Sequence, residues 1–406
     1  MFCVRNVTPD LYWVGGNDHR LALFENIHPL TKGVSYNSYL LLDEKTVLFD
    51  TVDWAVTREF IQNIQSVLNG RDLDYMVINH MEPDHCSAIE DLIRIYPNCK
   101  IISTEKSFMF MRQFNYHIDG KEIQVKEGDK FKFGKHEVQF VEAPMVHWPE
   151  AMITFDLTDG VLFSADAFGS FIALDGKLFN DEVNFDRDWL DEARRYYTNI
   201  VGKYGQFVQA LFKKVGPLLP QVKYICPLHG LVWRNNFEYI IDKYQKWSTY
   251  VPEEDGVLIA YASMYGNTEY TAQALASKLC ERGITNVHLY DVSNTDVSYL
   301  ISDAFKLSHM VLASVTYNLG IYPKMLNFLH DMKALNVQNR KVAVIENGSW
   351  APTSGQLIAD FLDEEMKMMN IIDPSVTVNS ALKNDKESDL DELADAIAES
   401  INKKNK

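Results

Sequence analysis

Asn79-His80-Met81-Glu82-Pro83-Asp84-His85 places five side chains able to bind a metal or carry a proton within seven residues, with a proline stiffening the middle. Just before it, Tyr75-Met76-Val77-Ile78 is short, apolar and flanked by polar residues, the pattern of a buried strand. Just after it, Ala88 to Ile95 carries a helical pattern. The run is therefore a strand-to-helix loop, where a rigid scaffold mounts reactive groups. A solvated acidic loop accounts for one or two such residues. It does not account for two histidines beside three acids or amides, so the run reads as a metal site.

Three more candidates each follow an apolar strand. His147 comes after Val138 to Val141, Asp166 after Val161 to Phe163, and His229 after Tyr224-Ile225. Ligands displayed at one end of successive strands converge on a point, which a lone packed histidine does not do. The set is then four imidazoles (His80, His85, His147, His229) and three carboxylates (Glu82, Asp84, Asp166). Nitrogen and oxygen donors without thiolate suit iron or manganese at least as well as zinc. Three anionic ligands leave two divalent ions with a net charge of about +1, which eases oxidation.

Length and composition bound the rest. At 406 residues the chain exceeds one ordinary core, so two domains are expected. A hydrophobic content of 47% and a charged content of 23% are those of a globular protein. No apolar run approaches a membrane span, and Met1-Phe2-Cys3-Val4-Arg5 lacks a secretion pattern. A net charge of -17 argues against nucleic-acid binding, which needs a basic face. The five cysteines (Cys3, Cys86, Cys99, Cys226, Cys280) include no Cys-x-x-Cys pair. They suit a reducing cytoplasm and leave no rubredoxin-type or zinc-ribbon site in the chain.

From Leu11 to Asp156 short strands dominate, interrupted by helical patterns at Val56 to Leu68 and Ala88 to Ile95, with a further one at Trp189 to Lys213. This grouping suggests a sheet sandwich covered by helices over residues 1–250. The polar stretch Tyr250-Val251-Pro252-Glu253-Glu254-Asp255-Gly256 reads as a linker. Over 251–406, strands at Val257 to Tyr261, Val287 to Tyr290, Met310 to Ala313, Lys341 to Ile345 and Val376 to Val378 alternate with helices. Five such units imply an α/β, doubly wound, five-stranded parallel sheet.

The first of those strands runs into Ser263-Met264-Tyr265-Gly266-Asn267-Thr268 and then a helix. Hydroxyls, a glycine and a helix N-terminus form a site for a phosphate dianion. No Gly-Lys-Ser/Thr ending and no Gly-x-Gly-x-x-Gly occurs there, which disfavours a nucleoside triphosphate or a dinucleotide. Ser314-Val315-Thr316-Tyr317-Asn318 and Asn347-Gly348-Ser349-Trp350 follow the third and fourth strands, at the sheet end where ligands bind. Tyr317 and Trp350 are placed to flank a ring.

The order His-x-Glu-x-Asp-His, then His, Asp and His, resembles the metallo-β-lactamase-like superfamily. Most of its hydrolases have histidine where this chain has Glu82. Glutamate there, a phosphate loop similar to that of flavodoxins, and the early Phe24-Glu25-Asn26-Ile27-His28-Pro29 segment resemble the flavodiiron proteins (A-type flavoproteins). The resemblance implies an αββα metallo-β-lactamase-like sandwich fused to a flavodoxin-like domain binding FMN. It also implies two non-haem irons: one held by His80, Glu82 and His147, the other by Asp84, His85 and His229, with Asp166 bridging. Some members of the family lack a direct bond from the residue matching His85. His28, Tyr196 and Tyr197 match positions near the distal pocket and are candidate proton donors. As neighbours on a helix, the two tyrosines also read as packing residues.

Fusing a flavin domain to a metal pair implies electron flow between them. FMN and a diiron pair store two electrons each, the four that reduce dioxygen to two waters. Two suffice to couple two nitric oxide molecules into nitrous oxide and water. The expected activity is a cytoplasmic oxygen and/or nitric oxide reductase, with a separate rubredoxin or similar carrier as donor. The family implies a head-to-tail homodimer, or a dimer of such dimers. A dizinc hydrolase with a regulatory flavin domain is the alternative, opposed by Glu82, and a redox sensor is a third.

Overall fold

The computed structural model describes residues 3–403 and divides into two compact units. One takes in the chain up to Tyr197 together with Gln206–Tyr244, the other Thr198–Gly205 and the chain from Gln245 on.

The first unit is built on two facing sheets. A seven-stranded sheet carries Leu11–Trp13, Tyr39–Leu42, Thr46–Phe49, Tyr75–Val77 and Lys100–Ser103 as its interior strands. A five-stranded sheet runs Lys130–Lys132, Glu137–Glu142, Met152–Asp156, Val161–Phe163 and Tyr224–Cys226. Val47, Phe49, Val77 and Ile102 of the first pack with Val138, Phe140 and Phe163 of the second in one buried cluster. The Phe49 and Phe163 rings stack at 3.8 Å. Burying a side chain of this size contributes about 1.5–3 kcal/mol, so the shared face supplies much of the sandwich's cohesion. Thr57–Leu68 and Ile89–Ile95 are helices, and each places one apolar stripe inward.

Two elements differ from the sequence reading. The loop of candidate ligands contains one helical turn, Pro83–Cys86, which proline starts well because its missing N–H would be unpaired at a helix entry anyway. Trp189 to Lys213 is not one helix. It breaks into Leu190–Tyr196, a wide turn at Tyr197–Val201, a tight turn at Gly202–Tyr204, and a helix at Gly205–Val215. At Gly205 a Cβ would lie 2.4 Å from the Ser248 carbonyl, so the chain passes too close there for any other residue.

The second unit is a parallel sheet in the order Val287–Asp291, Glu254–Ala262, Leu307–Tyr317, Arg340–Asn347, Met369–Ile371. Val376–Val378 pairs with Arg340–Asn347 further along, so the last strand is split in two, and only its second half was legible in the sequence. The strand order reverses between Glu254–Ala262 and Leu307–Tyr317, and such a switch point opens a crevice at the carboxyl ends of the strands. The stretch read as a linker already begins the first strand at Glu254. Tyr250 is tied down as well: its carbonyl accepts from the buried Arg340 guanidinium at 2.8 Å.

Candidate metal centre and flavin cleft

All seven candidate ligands converge. His80, Glu82, His147 and Asp166 form one group and Asp84, His85 and His229 a second, each with its donor atoms within 4.8 Å of one another. In the first, His147 Nε2 lies 3.0 Å from Glu82 Oε2 and 3.0 Å from Asp166 Oδ2, and His80 Nε2 lies 3.3 and 3.2 Å from the same two oxygens. In the second, Asp84 Oδ2 is 3.3 Å from Nε2 of both His85 and His229. Asp166 turns its other oxygen this way, Oδ1 lying 3.3 Å from His85 Nε2. One carboxylate thus faces both groups.

The backbone explains the convergence. His80 leaves the Tyr75–Val77 strand, and Thr51 receives the His85 end, donating to its carbonyl from both N–H (2.9 Å) and hydroxyl (2.8 Å). His229 lies in a turn whose Pro227 and Gly230 carbonyls accept from the Asn37 amide, each at 2.9 Å. Gly230 has a φ of 75°, and a Cβ on it would meet Ser170 Oγ at 2.2 Å, so that turn requires glycine.

The electrostatics are those of a metal site. Burial raises the Glu82 carboxyl, yet hydrogen bonds from His147 and His80 carry it below the usual carboxylate range. Burial opposes charging of His147, and the Asp166 and Glu82 carboxylates outweigh it, lifting the imidazole to about 9. Burial likewise works against ionised Asp166, which the surrounding histidines nonetheless hold well below its ordinary value. Both Asp84 oxygens and Asp166 Oδ1 are buried without a hydrogen-bond donor. Buried anionic oxygens without donors are costly unless a cation meets them, so the donor set fits metal ions.

Several residues at the site carried no recognised signal in the sequence. Asp50, at the carboxyl end of Thr46–Phe49, accepts from the Asn79 amide (2.7 Å) and from the Asn79 backbone N–H (2.6 Å), holding the ligand loop. Burial pushes its carboxyl up to about 6. Glu150 Oε1 meets His80 Nδ1 at 2.9 Å and accepts from Met81 N–H at 2.8 Å. Glu25 lies beside Glu82, and burial followed by the Glu82 charge pushes it up to about 8. Asp50 shares the strand-end context of the candidate ligands, which is a faint signal, whereas Glu150 follows no strand and has none.

The distal-pocket candidates separate. Tyr196 packs its ring 5.3 Å from His229, and its buried hydroxyl has no hydrogen-bond partner. Tyr197 packs instead on Tyr244, ring centres 4.9 Å apart. His28 is buried, with Nε2 3.8 Å from Glu25 Oε2, and so stands behind Glu25.

In the second unit a cavity of about 300 Å³ opens at the switch point. Ser263, Met264, Tyr265, Asn267, Thr268, Val315, Thr316, Tyr317, Asn318, Asn347, Gly348, Ser349 and Trp350 line it, together with Leu319 and Ser380, which the sequence reading lacked. Gly266 caps the helix Asn267–Glu281 with a φ of 88° and donates to Ser263 Oγ at 3.1 Å. Ser314 is placed differently. It is buried beneath the cavity, its carbonyl accepting from Ser354 Oγ at 2.8 Å. The lining combines a helix N-terminus, hydroxyls and three exposed aromatic rings, Tyr265, Tyr317 and Trp350, which fits a phosphate-bearing planar cofactor.

Known proteins share both halves. The ODP family beta lactamase model matches residues 34–230, and the flavodoxin model matches residues 259–392. The anaerobic nitric oxide reductase flavorubredoxin of Vibrio vulnificus is 35% identical over 348 residues, which is 85% of this chain and 70% of that protein. The chain belongs to the flavodiiron protein family. The Escherichia coli flavorubredoxin is 33% identical over 348 residues, 85% of this chain and 72% of its own. Among solved structures, the flavodiiron chain matches rubredoxin oxygen:oxidoreductase of Desulfovibrio gigas with a TM-score of 0.91 at 28% identity, covering 99% of both. The flavodiiron protein of Giardia intestinalis shares the fold at a TM-score of 0.90 and 24% identity, covering 99% of this chain and 98% of that one.

Proposed function

We propose that this flavodiiron protein reduces nitric oxide to nitrous oxide and/or dioxygen to water, using FMN and two non-haem irons. The observation that carries the reading is Asp166, whose two oxygens face two separate groups of buried metal donors. His80, Glu82 and His147 would hold one iron, Asp84, His85 and His229 the other, and Asp166 would bridge them. The second cavity would take FMN, its phosphate against Ser263, Asn267 and Thr268 and its ring beside Tyr317 and Trp350. When bound, FMN and the iron pair each supply two reducing equivalents.

The chain's own residues do the rest. Asp84 and Asp166 carry buried negative charge that suits oxidised metal. Phe24 and Phe171 pack on Tyr196, with ring centres 6.5 and 5.2 Å away, and keep that side of the site apolar. Glu25 lies beside Glu82, with Oε2 3.8 Å from His28 Nε2, and is placed to pass a proton toward the site.

The printed names of the relatives support a rubredoxin as electron donor. A head-to-tail homodimer, bringing one copy's FMN beside another's metals, is the proposed assembly. Exposed aromatics support it: Tyr265 (90%) and Trp350 (71%) at the flavin cavity, and Trp54 (74%), next to Asp53, whose carboxyl senses Asp84. Among the described residues no helix is long and apolar enough to cross a membrane, and a cytoplasmic location is proposed. Steady-state turnover with reduced rubredoxin tests the function: consumption of at least one gas at catalytic rates is expected. Iron- and FMN-loaded protein that consumes neither, while cleaving esters or phosphodiesters, would overturn it.

A further inference from the structure

The two metal positions have matching inner donors: two imidazoles, one carboxylate of their own (Glu82 or Asp84), and a share in Asp166. What stands behind the imidazoles differs. His80 Nδ1 faces Glu150 Oε1 at 2.9 Å, and the Glu150 side chain is fully buried. Glu150 Oε1 also accepts from Met81 N–H at 2.8 Å, which fixes its orientation, while Oε2 has no hydrogen-bond partner. Among the described residues the ion pair with His80 is the one Glu150 makes. In the other group, His229 Nδ1 donates to the neutral Ser35 carbonyl at 2.7 Å, and His85 Nδ1 is buried without a partner.

We propose that Glu150 makes the two positions unequal, so that divalent metal fills the His80–Glu82–His147 position first and is held there more tightly than at Asp84–His85–His229. The inference rests on the metal-pair reading above. A carboxylate behind a ligating imidazole draws its Nδ1 proton, raises electron density at Nε2 and strengthens the bond to metal. Its buried charge adds a long-range attraction that a peptide carbonyl does not match. Glu150 is therefore a positioning residue, acting on metal through His80.

The test titrates metal-free, full-length protein anaerobically with Co²⁺, following its visible absorption up to saturation. Crystals of wild-type protein prepared with one equivalent are compared by anomalous diffraction. Two ions at saturation are expected, with the first concentrated at the His80 position. Glu150→Gln keeps the shape and one acceptor oxygen for His80 Nδ1 and Met81 N–H, turns the other oxygen into an NH2 donor and removes the charge, and should weaken the tighter phase roughly 10–100-fold, leaving the looser one. Glu150→Asp should recover part of the difference. First occupancy at His229, equal occupancy in wild type, or an E150Q effect confined to the looser phase would overturn the proposal. Where E150Q does not fold, E150D carries the same titration, and a tighter phase left at wild-type strength by the Glu150 variants would overturn the proposal. Saturation at one ion or none would instead sink the metal-pair reading itself.

Discussion

Asp166→Asn is the most informative single change, because it alters one group that both metal positions share. The amide keeps the shape and removes the charge from a side chain that faces His80 Nε2 at 3.2 Å, His147 Nε2 at 3.0 Å and His85 Nε2 at 3.3 Å. Breaking a buried charge network by removing one partner costs about 3–5 kcal/mol. The sign follows from the direction of the shift. Asp166 is held well below its ordinary value, so its stabilising contribution is present above the unfolded carboxylate pKa and is lost as pH falls through the folded one. At pH 7 the full loss should therefore appear in urea unfolding of the metal-free protein. In the loaded protein each position loses an anionic ligand, and the same energy corresponds to roughly a hundred- to a thousand-fold or more in affinity at about 1.4 kcal/mol per decade. Metal content after dialysis against a chelator reads this directly, with FMN content as the control for folding of the other unit. An Asp166→Asn protein that keeps two metals and wild-type stability would show that the carboxylate does not bridge.

Metal uptake should release protons and tighten as pH rises from 6 to 9, because metal displaces the proton that His147 holds up to about 9; a titration in weakly buffered solution with no proton release would contradict this. Glu82→His should weaken or alter iron binding at the first position while leaving FMN bound, read from iron content and visible spectra; unchanged iron content would mean Glu82 is not a ligand. Tyr196→Phe should keep both metals and slow gas reduction severalfold, whereas Tyr197→Phe, at a ring packed on Tyr244, should stay near wild type. If the Tyr196 hydroxyl is only a packing group, removing it should instead leave turnover unchanged and stabilise the protein by about 1 kcal/mol, since a buried unpaired hydroxyl is a cost.

The convergence of the candidate ligands was legible because each follows an apolar strand, and strands in a layered sheet end on a common edge. His147, Asp166 and His229 are far apart in sequence, yet the same local pattern marks all three. The loops that line the second cavity were legible for the same reason, and Ser314 falls outside the lining because the strand Leu307–Tyr317 runs past it and buries its side chain. Glu25, Asp50 and Glu150 were harder. An isolated acid looks like a solvated surface group until tertiary packing buries it, as it does Asp50 and Glu150, or sets it beside the site while still exposed, as it does Glu25, and nothing local reports that Glu150 lies behind His80. The break after Tyr196 was missed because Tyr197 to Lys213 keeps an apolar rhythm compatible with helix, while the close approach of Gly205 to Ser248 is a tertiary constraint. Tyr196 and Tyr197, adjacent and alike in sequence, part only in three dimensions.

The proposed function couples a flavin to a metal pair that reduces a small gas. Its most direct test loads the protein with iron and FMN, reduces it fully without oxygen, and mixes it with nitric oxide or dioxygen in a stopped-flow instrument while products are counted. Reoxidation of FMN together with the metal pair, with two nitric oxide molecules consumed per nitrous oxide formed or four electrons per dioxygen, is the expected result. Flavin and iron that both stay reduced in the presence of either gas would contradict this function.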